Sequence, residues 1–269
     1  MGFPQTVDAK GILNPHIAEQ KFQLTRHVPS PDLALFVEWY WIIHWDLSGQ
    51  EPHTQDVLPY PSVNFAIEES QSGVFGVVTG KFTRTLVNSG RVVAAKFRPA
   101  GFYPFVRLPI SQFTNKVTAI TSVFGSRGDT LEQTILATEQ DEAALAQMEQ
   151  FLRDQQPERD PNIVVVNDII DCIIEDRSIT RVDELVKRTS LNKRTLQRLF
   201  NQYVGVSPKW VIQRYRLHEA AERLASGASI SQSALALELG YTDQAHFAHD
   251  FKTVVGTSPA AYAKAARAR

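Results

Sequence analysis

Apolar positions along this 269-residue chain follow two different periods. From Leu33 to Phe105 they come in short runs divided by Gly, Pro and Asn: Leu35 to Trp45, Ser62 to Ile67, Val74 to Thr79, Phe82 to Val87 and Val92 to Phe97. Runs of this length, rich in Val, Phe and Trp and bounded by turn formers, predict strands of a sandwich or small barrel. From Asp129 to Gln156 the composition turns to Ala, Leu, Glu and Gln, and Leu145, Met148, Phe151 and Leu152 recur at helical spacing. That pattern predicts one or two amphipathic helices. The segment Pro157 to Pro161 interrupts it, because each proline disfavours helix in the residue before it. A boundary is expected there, giving a β-rich unit over residues 1–156 and an all-α unit over 157–269, an α+β multidomain chain. The expected helices of the second unit are Ile163 to Glu175, Val182 to Arg188, Lys193 to Tyr203, Pro208 to about Ala225, Ser231 to Leu239, Gln244 to Val254, and a last one from Pro259.

Shifting the chain by 51 residues brings two of its segments into register: Asn192 to Phe200 followed by Gly205 and Ser207-Pro208, against Asp243 to Phe251 followed by Gly256 and Ser258-Pro259. Each coincidence has a physical job. Asn192 and Asp243 suit N-caps, whose side-chain oxygens accept from orphan backbone N–H groups. Leu196/Phe200 and Phe247/Phe251 are i, i+4 apolar pairs that fix a helix on a small core. Gly205 and Gly256 fall just past a helix end, where positive φ is common, and the Ser-Pro pairs open the next helix. With a short helix upstream of each cap, the plan is a helix-turn-helix unit, whose second helix enters the major groove of DNA. If Leu196, Leu199 and Phe200 face inward, the outward positions are Lys193, Arg194, Gln197 and Arg198, residue types that read base edges and phosphates. The connecting helix from Pro208 spans roughly 25 Å at 1.5 Å per residue, enough to present two such helices to successive major-groove faces about 34 Å apart.

Charge changes this picture by its distribution rather than its sum. The net charge is −1, yet residues 1–159 hold 13 Lys+Arg against 17 Asp+Glu, and 160–269 hold 15 against 12. From Lys187 to His218 there are Lys187, Arg188, Lys193, Arg194, Arg198, Lys209, Arg214 and Arg216 with no carboxylate. Local basic clustering attracts polyphosphate even on a neutral molecule. No apolar stretch approaches the roughly 20 residues of a membrane span, and Met1 to Lys10 lacks a signal-peptide pattern. A soluble, cytoplasmic chain is expected. The single cysteine, Cys172, sits in an apolar helical run and is read as core.

The residues Gly240, Tyr241, Asp243, Phe247, Phe251, Lys252, Gly256, Ser258, Pro259 and Tyr262 are similar to the signature of the AraC/XylS family of bacterial transcription regulators, over about 100 residues. The resemblance implies base contacts from Arg194, Gln197 and Arg198 in the first unit and from Gln244, Ala245 and His249 in the second, with Thr195, His246 and Lys252 as phosphate partners. The chain departs from the family where His249 stands in place of the usual Arg, where Ala245 and Ala248 offer only methyl groups, and where Ser190 replaces the usual Gly. The second unit is therefore expected to read sequence weakly. The N-terminal half resembles the cupin-like domains that precede this region in many members, with Val57 to Phe65 and Gly76 to Arg84 as its most distinctive stretches. That implies a small-molecule effector or dimerisation there. Implied partners are double-stranded DNA, an effector, RNA polymerase and a second copy of the chain, with no membrane.

Trp39, Trp41 and Trp45 share one face of a predicted strand and, with Phe65, form a candidate effector pocket; the same spacing fits a barrel core. His44 and His53 lack the strand-borne His-x-His plus Glu pattern of metal cupins, so no metal and no cofactor are expected. The stretch Arg98 to Phe105 fits a ligand-gating loop or a packed turn. The stripe Leu145, Met148, Phe151 and Leu152 fits a dimer seam or ordinary core. Two rival functions stand beside a non-enzymatic regulator. One is a cupin-type enzyme with a DNA-binding tail, for which no acid/base pair at recognisable spacing is found. The other is a helical protein-interaction adaptor, which has no reason to exclude carboxylates from Lys187 to His218.

Overall fold

The computed structural model describes residues 11–13, 15–226 and 231–267; the stretch Met1 to Lys10, scanned for a signal sequence, lies outside them. Among the described residues eight strands build the N-terminal half: β1 (Gln23–His27), β2 (Val37–Asp46), β3 (His53–Val57), β4 (Asn64–Glu68), β5 (Gly73–Phe75), β6 (Phe82–Leu86), β7 (Ser89–Phe97) and β8 (Val117–Thr118). Six form one antiparallel sheet in the order β1-β2-β7-β4-β5-β8, and β3 pairs with β6 in a separate antiparallel ribbon. Short helices α1 (Pro15–Glu19), α2 (Tyr103–Val106) and α3 (Ile120–Phe124) connect these parts.

The sheet is apolar on both faces, and each face has its own use. Tyr40 and Ile42 of β2, Phe65 and Ile67 of β4, and Val93, Ala95 and Phe97 of β7 pack under helices α4 (Ser126–Ala137) and α5 (Asp141–Asp154). The opposite face carries Trp39, Trp41, Ile43 and Trp45 and looks across a cavity to the β3-β6 ribbon. A bulge in β2 between Val37 and Trp39 sets this parity. The extra residue turns Val37 and Tyr40 toward the same side despite their odd spacing.

The α5 stripe Leu145, Met148, Phe151 and Leu152 is buried in the core, with the Phe151 ring 6.2 Å from Phe65 and 5.2 Å from Phe124. That stripe is core, not a dimer seam, because the sheet already covers it. His44 bonds to Asp141 at the start of α5 at 2.8 Å, and His53 to Gln55 at 3.2 Å.

Among the described residues seven further helices follow: α6 (Pro161–Glu175), α7 (Val182–Thr189), α8 (Lys193–Leu199), α9 (Pro208–Ala225), α10 (Gln232–Glu238), α11 (Gln244–Val255) and α12 (Pro259–Arg267). Asp160 caps α6, its carboxylate accepting from Asn162 N at 2.9 Å. Ser207 caps α9, where Pro208 takes the first position, whose N–H has no acceptor inside a helix. One hydrophobic cluster runs unbroken from the sheet through α5 and α6 to Tyr203 and Ile212, crossing Pro157 to Pro161. Cys172 packs half-buried against it. The second helical unit has its own cluster around Phe247 and Phe251, joined by Leu58 from the N-terminal half. Among the described residues no helix is long and apolar enough to cross a membrane.

Candidate nucleic-acid interface and effector cavity

The two repeated segments fold as equivalent helices. Asn192 Oδ1 accepts from Thr195 N at 2.9 Å and Asp243 Oδ1 from His246 N at 2.8 Å, the same cap on the same turn. Behind these caps Leu196, Phe200, Phe247 and Phe251 are fully buried. Gly205 and Gly256 end the segments at φ 91° and 87°, a left-handed backbone that a side chain at either site would strain. The units differ after α8, where Phe200–Val204 widens into a π-helical turn before Gly205; α11 continues as regular α-helix to Val255.

With the apolar side fixed inward, the opposite side is open. Lys193, Arg194, Gln197 and Arg198 are exposed and Thr195 is half-buried. On α11, Gln244, Ala245, His246, His249 and Lys252 are exposed. Some of this reach is already engaged: Lys193 Nζ lies 2.5 Å from Asp183, His246 Nε2 3.6 Å from Asp250, and Gln244 donates to Gln232 at 3.3 Å. Arg194, Gln197 and Arg198 project from α8, which carries no carboxylate of its own.

The basic run from Lys187 to His218 is less uniform in space than in sequence. Arg214 and Arg216 are each 2% exposed, so neither adds to a surface patch. Arg214 donates to Thr79 O at 2.6 Å and stacks on Trp210, while Arg216 pairs with Glu219 at 2.7 Å. Arg188 is paired with Asp176 at 2.5 Å. The absence of acidic residues in this run thus reflects interior packing as well as a solvent face, and it weighs less against an adaptor than its composition suggests.

Ser190, where a glycine was the family expectation, closes α7 at φ 56°. A left-handed backbone costs a residue with a Cβ about 1–2 kcal/mol, part of which glycine gives back through its greater freedom when unfolded. Ser190→Gly is therefore expected to raise the unfolding free energy by about 0.5–1 kcal/mol. Urea unfolding checks this, and an unchanged or lower midpoint contradicts it.

The cavity between sheet and ribbon encloses about 240 Å³. Trp39, Trp41 and Trp45 wall it, all half-buried, so the aromatic face of β2 opens on a void and is not closed core. Phe65 does not belong to it. One residue along β4 from Asn64, which does line the cavity, Phe65 points the other way and packs on Phe124 at 5.3 Å. Lys96, Glu38, Arg26, Glu68 and Arg84 escaped the sequence reading. A lysine inside the apolar run Val92 to Phe97 was the available signal, since alternation puts it on the cavity face. Lys96 Nζ sits 2.9 Å from Glu38 and 4.1 and 4.0 Å from the ring centres of Trp39 and Tyr60. Burial pushes its ammonium below the usual lysine value, and Glu38 opposes that.

Tyr60 also touches the connecting helix. Its ring stacks on His218 of α9 at 4.0 Å and lies 6.1 Å from Tyr215, and His218 Nε2 is 3.3 Å from Pro59 O. Contacts between chain segments so far apart leave no trace in local periodicity. The stretch Arg98 to Phe105 is a packed turn: Gly101 N donates to Arg98 O at 2.7 Å, and Phe102 and Phe105 join a ring cluster with Phe97.

Comparison with known proteins gives two family matches. Residues 185–265 match a helix-turn-helix domain, and residues 25–119 match a domain of unknown function (DUF6597). An uncharacterized HTH-type transcriptional regulator of Haemophilus influenzae is 34% identical over 83 residues, 31% of this chain and 28% of that protein. The match thus spans little more than a quarter of that relative. The probable transcription factor PqrA of Proteus vulgaris is 30% identical over 101 residues, 36% of this chain and 82% of its own length. Among solved structures, the C-terminal domain of AraT, a response regulator from Geobacillus stearothermophilus, is 25% identical, with 41% of this chain and 87% of that chain covered and a TM-score of 0.35. Unsaturated fatty acid bound ToxT from Vibrio cholerae is 12% identical, with 98% and 97% covered and a TM-score of 0.37.

Proposed function

The chain belongs to the AraC-type family of helix-turn-helix transcription regulators, and we propose that it binds DNA, with Lys193, Arg194, Thr195, Gln197 and Arg198 of the first unit and Gln244, Ala245, His246, His249 and Lys252 of the second forming its duplex-reading surface. Residues 157–269 carry this role, and residues 1–156 control it through a small effector held in the Trp39, Trp41 and Trp45 cavity. Tyr60, shared by that cavity and by α9, is the coupling residue. The setting is the cytoplasm, with RNA polymerase and a second copy of the chain as further partners and no catalytic step.

One observation carries this reading: at both repeat-equivalent helices the apolar pair is fully buried while the polar side chains opposite are open to solvent. Arg198 and Arg194 offer bidentate donors suited to guanine, and Gln197 suits adenine. The second unit offers one imidazole and methyl groups, so it discriminates less. On an operator recovered by selection from random duplexes, Arg198→Ala is expected to cost about 1–3 kcal/mol of specific binding, and His249→Ala less. Fluorescence anisotropy at several salt concentrations measures both. Binding must weaken steeply with salt as counterions return to the phosphates. A flat salt response, or a larger loss from His249→Ala, contradicts the assignment.

A further inference from the structure

The effector cavity is rich in charge, most of it held in ion pairs. On one side lie Lys96, its partner Glu38, and Arg26, whose guanidinium is 4.8 Å from the Trp39 ring centre. Four residues along β4 from Asn64, about 13 Å away at 3.3 Å per residue, Glu68 pairs with Arg84. Of the three lining cations, Lys96 and Arg84 are thus each paired with a carboxylate. One partner of each ion pair is well removed from water: Lys96 is 6% and Glu68 8% exposed. Between them the wall is Trp41, Ile43, Trp45, Ala66, Phe75 and Phe82. The neutral polar groups are Ser62 and the Asn64 amide, whose Oδ1 accepts from Trp41 Nε1 at 3.3 Å, leaving its NH₂ to donate.

Resting on the effector reading above, we propose that the ligand is an uncharged aromatic molecule of about bicyclic size, lying against the indoles of β2 with one hydroxyl or carbonyl group on Ser62 and Asn64. Size follows from the volume of about 240 Å³, small for a ligand site, where roughly 300–1,000 Å³ is usual. Flatness and aromaticity follow from three indoles on alternate positions of one strand, which favour offset or edge-on ring contacts. Neutrality follows from the pairing. A carboxylate arriving at Lys96 must displace Glu38 and leave that charge half-buried without its partner, and a cation must do the same to Lys96. The cavity therefore selects against both ions while its walls receive rings of either edge or face.

The test uses the full chain, its intrinsic tryptophan fluorescence, and three probes at neutral pH: naphthalenemethanol, naphthoate of the same ring position, and the saturated decalin analogue of the alcohol. Naphthalenemethanol is expected to bind about tenfold or more tighter than naphthoate, equivalent to about 1.4 kcal/mol, and tighter than the decalin. Glu38→Gln keeps the shape of the side chain and leaves Lys96 without a counter-charge, so it is expected to reverse the alcohol-over-acid preference. Naphthoate binding the wild-type chain more tightly, or an unchanged preference in Glu38→Gln, overturns the proposal while leaving an effector site in place. If none of the probes binds, the effector reading falls with it.

Discussion

Arg216→Met lowers the unfolding free energy by about 3–5 kcal/mol, the expected cost of removing one partner from a buried ion pair. Arg216 is 2% exposed on α9 and bonds in two directions. Its Nη1 donates to Glu219 at 2.7 Å, and its Nη2 donates to Ile173 O and, at 3.4 Å, to Asp176 O. Ile173 lies in the last turn of α6, where the helix dipole and the orphan carbonyls both favour a cation. Methionine fills much of the volume but leaves Glu219 and these carbonyls without that donor. Arg177 and Arg223 lie 3.4 and 3.5 Å from Glu219 and soften the loss without removing it. Arg216→Lys retains charge but not the two-pronged geometry, so it falls between the wild type and Arg216→Met. Urea unfolding followed by tryptophan fluorescence measures all three. A loss below about 1 kcal/mol, the range of an exposed pair, means Arg216 is not the tie between the connecting helix and α6.

What the sequence disclosed depended on how local each cause was. The 51-residue offset predicted the N-caps at Asn192 and Asp243 and the glycine turns at Gly205 and Gly256, because capping and turn chemistry act within a few residues. Helix α9 runs from Pro208 to Ala225, the bounds expected from its Ser-Pro start and periodicity. Strands β1 and β3, Gln23–His27 and His53–Val57, went unseen since each offers few apolar residues and sits at an edge or in a two-stranded ribbon. The aromatic face of β2 was visible, but alternation gives the same signal for a packed interior and for a cavity wall. Only the ribbon's stand-off from the sheet separates them. Phe65 was assigned to the wrong side for want of one residue of register, the slip to which a period of two is most sensitive. The buried Arg214 and Arg216 show the converse failure: a run of like charges looks like surface until long-range partners such as Thr79 O and Glu219 are known.

Gly76→Ala is expected to cost about 3 kcal/mol, the upper part of the range for overpacking a filled interior, and to loosen both helix-turn-helix units at once. A Cβ on Gly76 would lie 1.8 Å from Phe113 O and 2.4 Å from Phe113 C, both backbone atoms with no rotamer to yield. The two strands of chain that meet there are tied by Gly76 N donating to Lys116 O at 3.0 Å, Asn115 N to Val77 O at 2.9 Å, and Thr79 N to the Asn115 side chain at 2.8 Å. Together they grip the helical half at three points. Thr114 Oγ1 donates to Gly205 O at 2.8 Å, Thr79 O accepts from Arg214 on α9 at 2.6 Å, and the Lys81 side chain, whose Nζ pairs with Asp56 at 3.0 Å, passes beside Gly256. Gly205 and Gly256 are the repeat-equivalent ends of the two second helices, so these loops are expected to bear on the spacing of both. Separating the loops should therefore weaken operator binding as well as stability, although Gly76 is remote in sequence from every residue assigned to DNA. Denaturant unfolding and operator titration of the same preparation read the two losses. A variant that is less stable but binds its operator with unchanged affinity and salt slope would place the control of spacing in α9 alone.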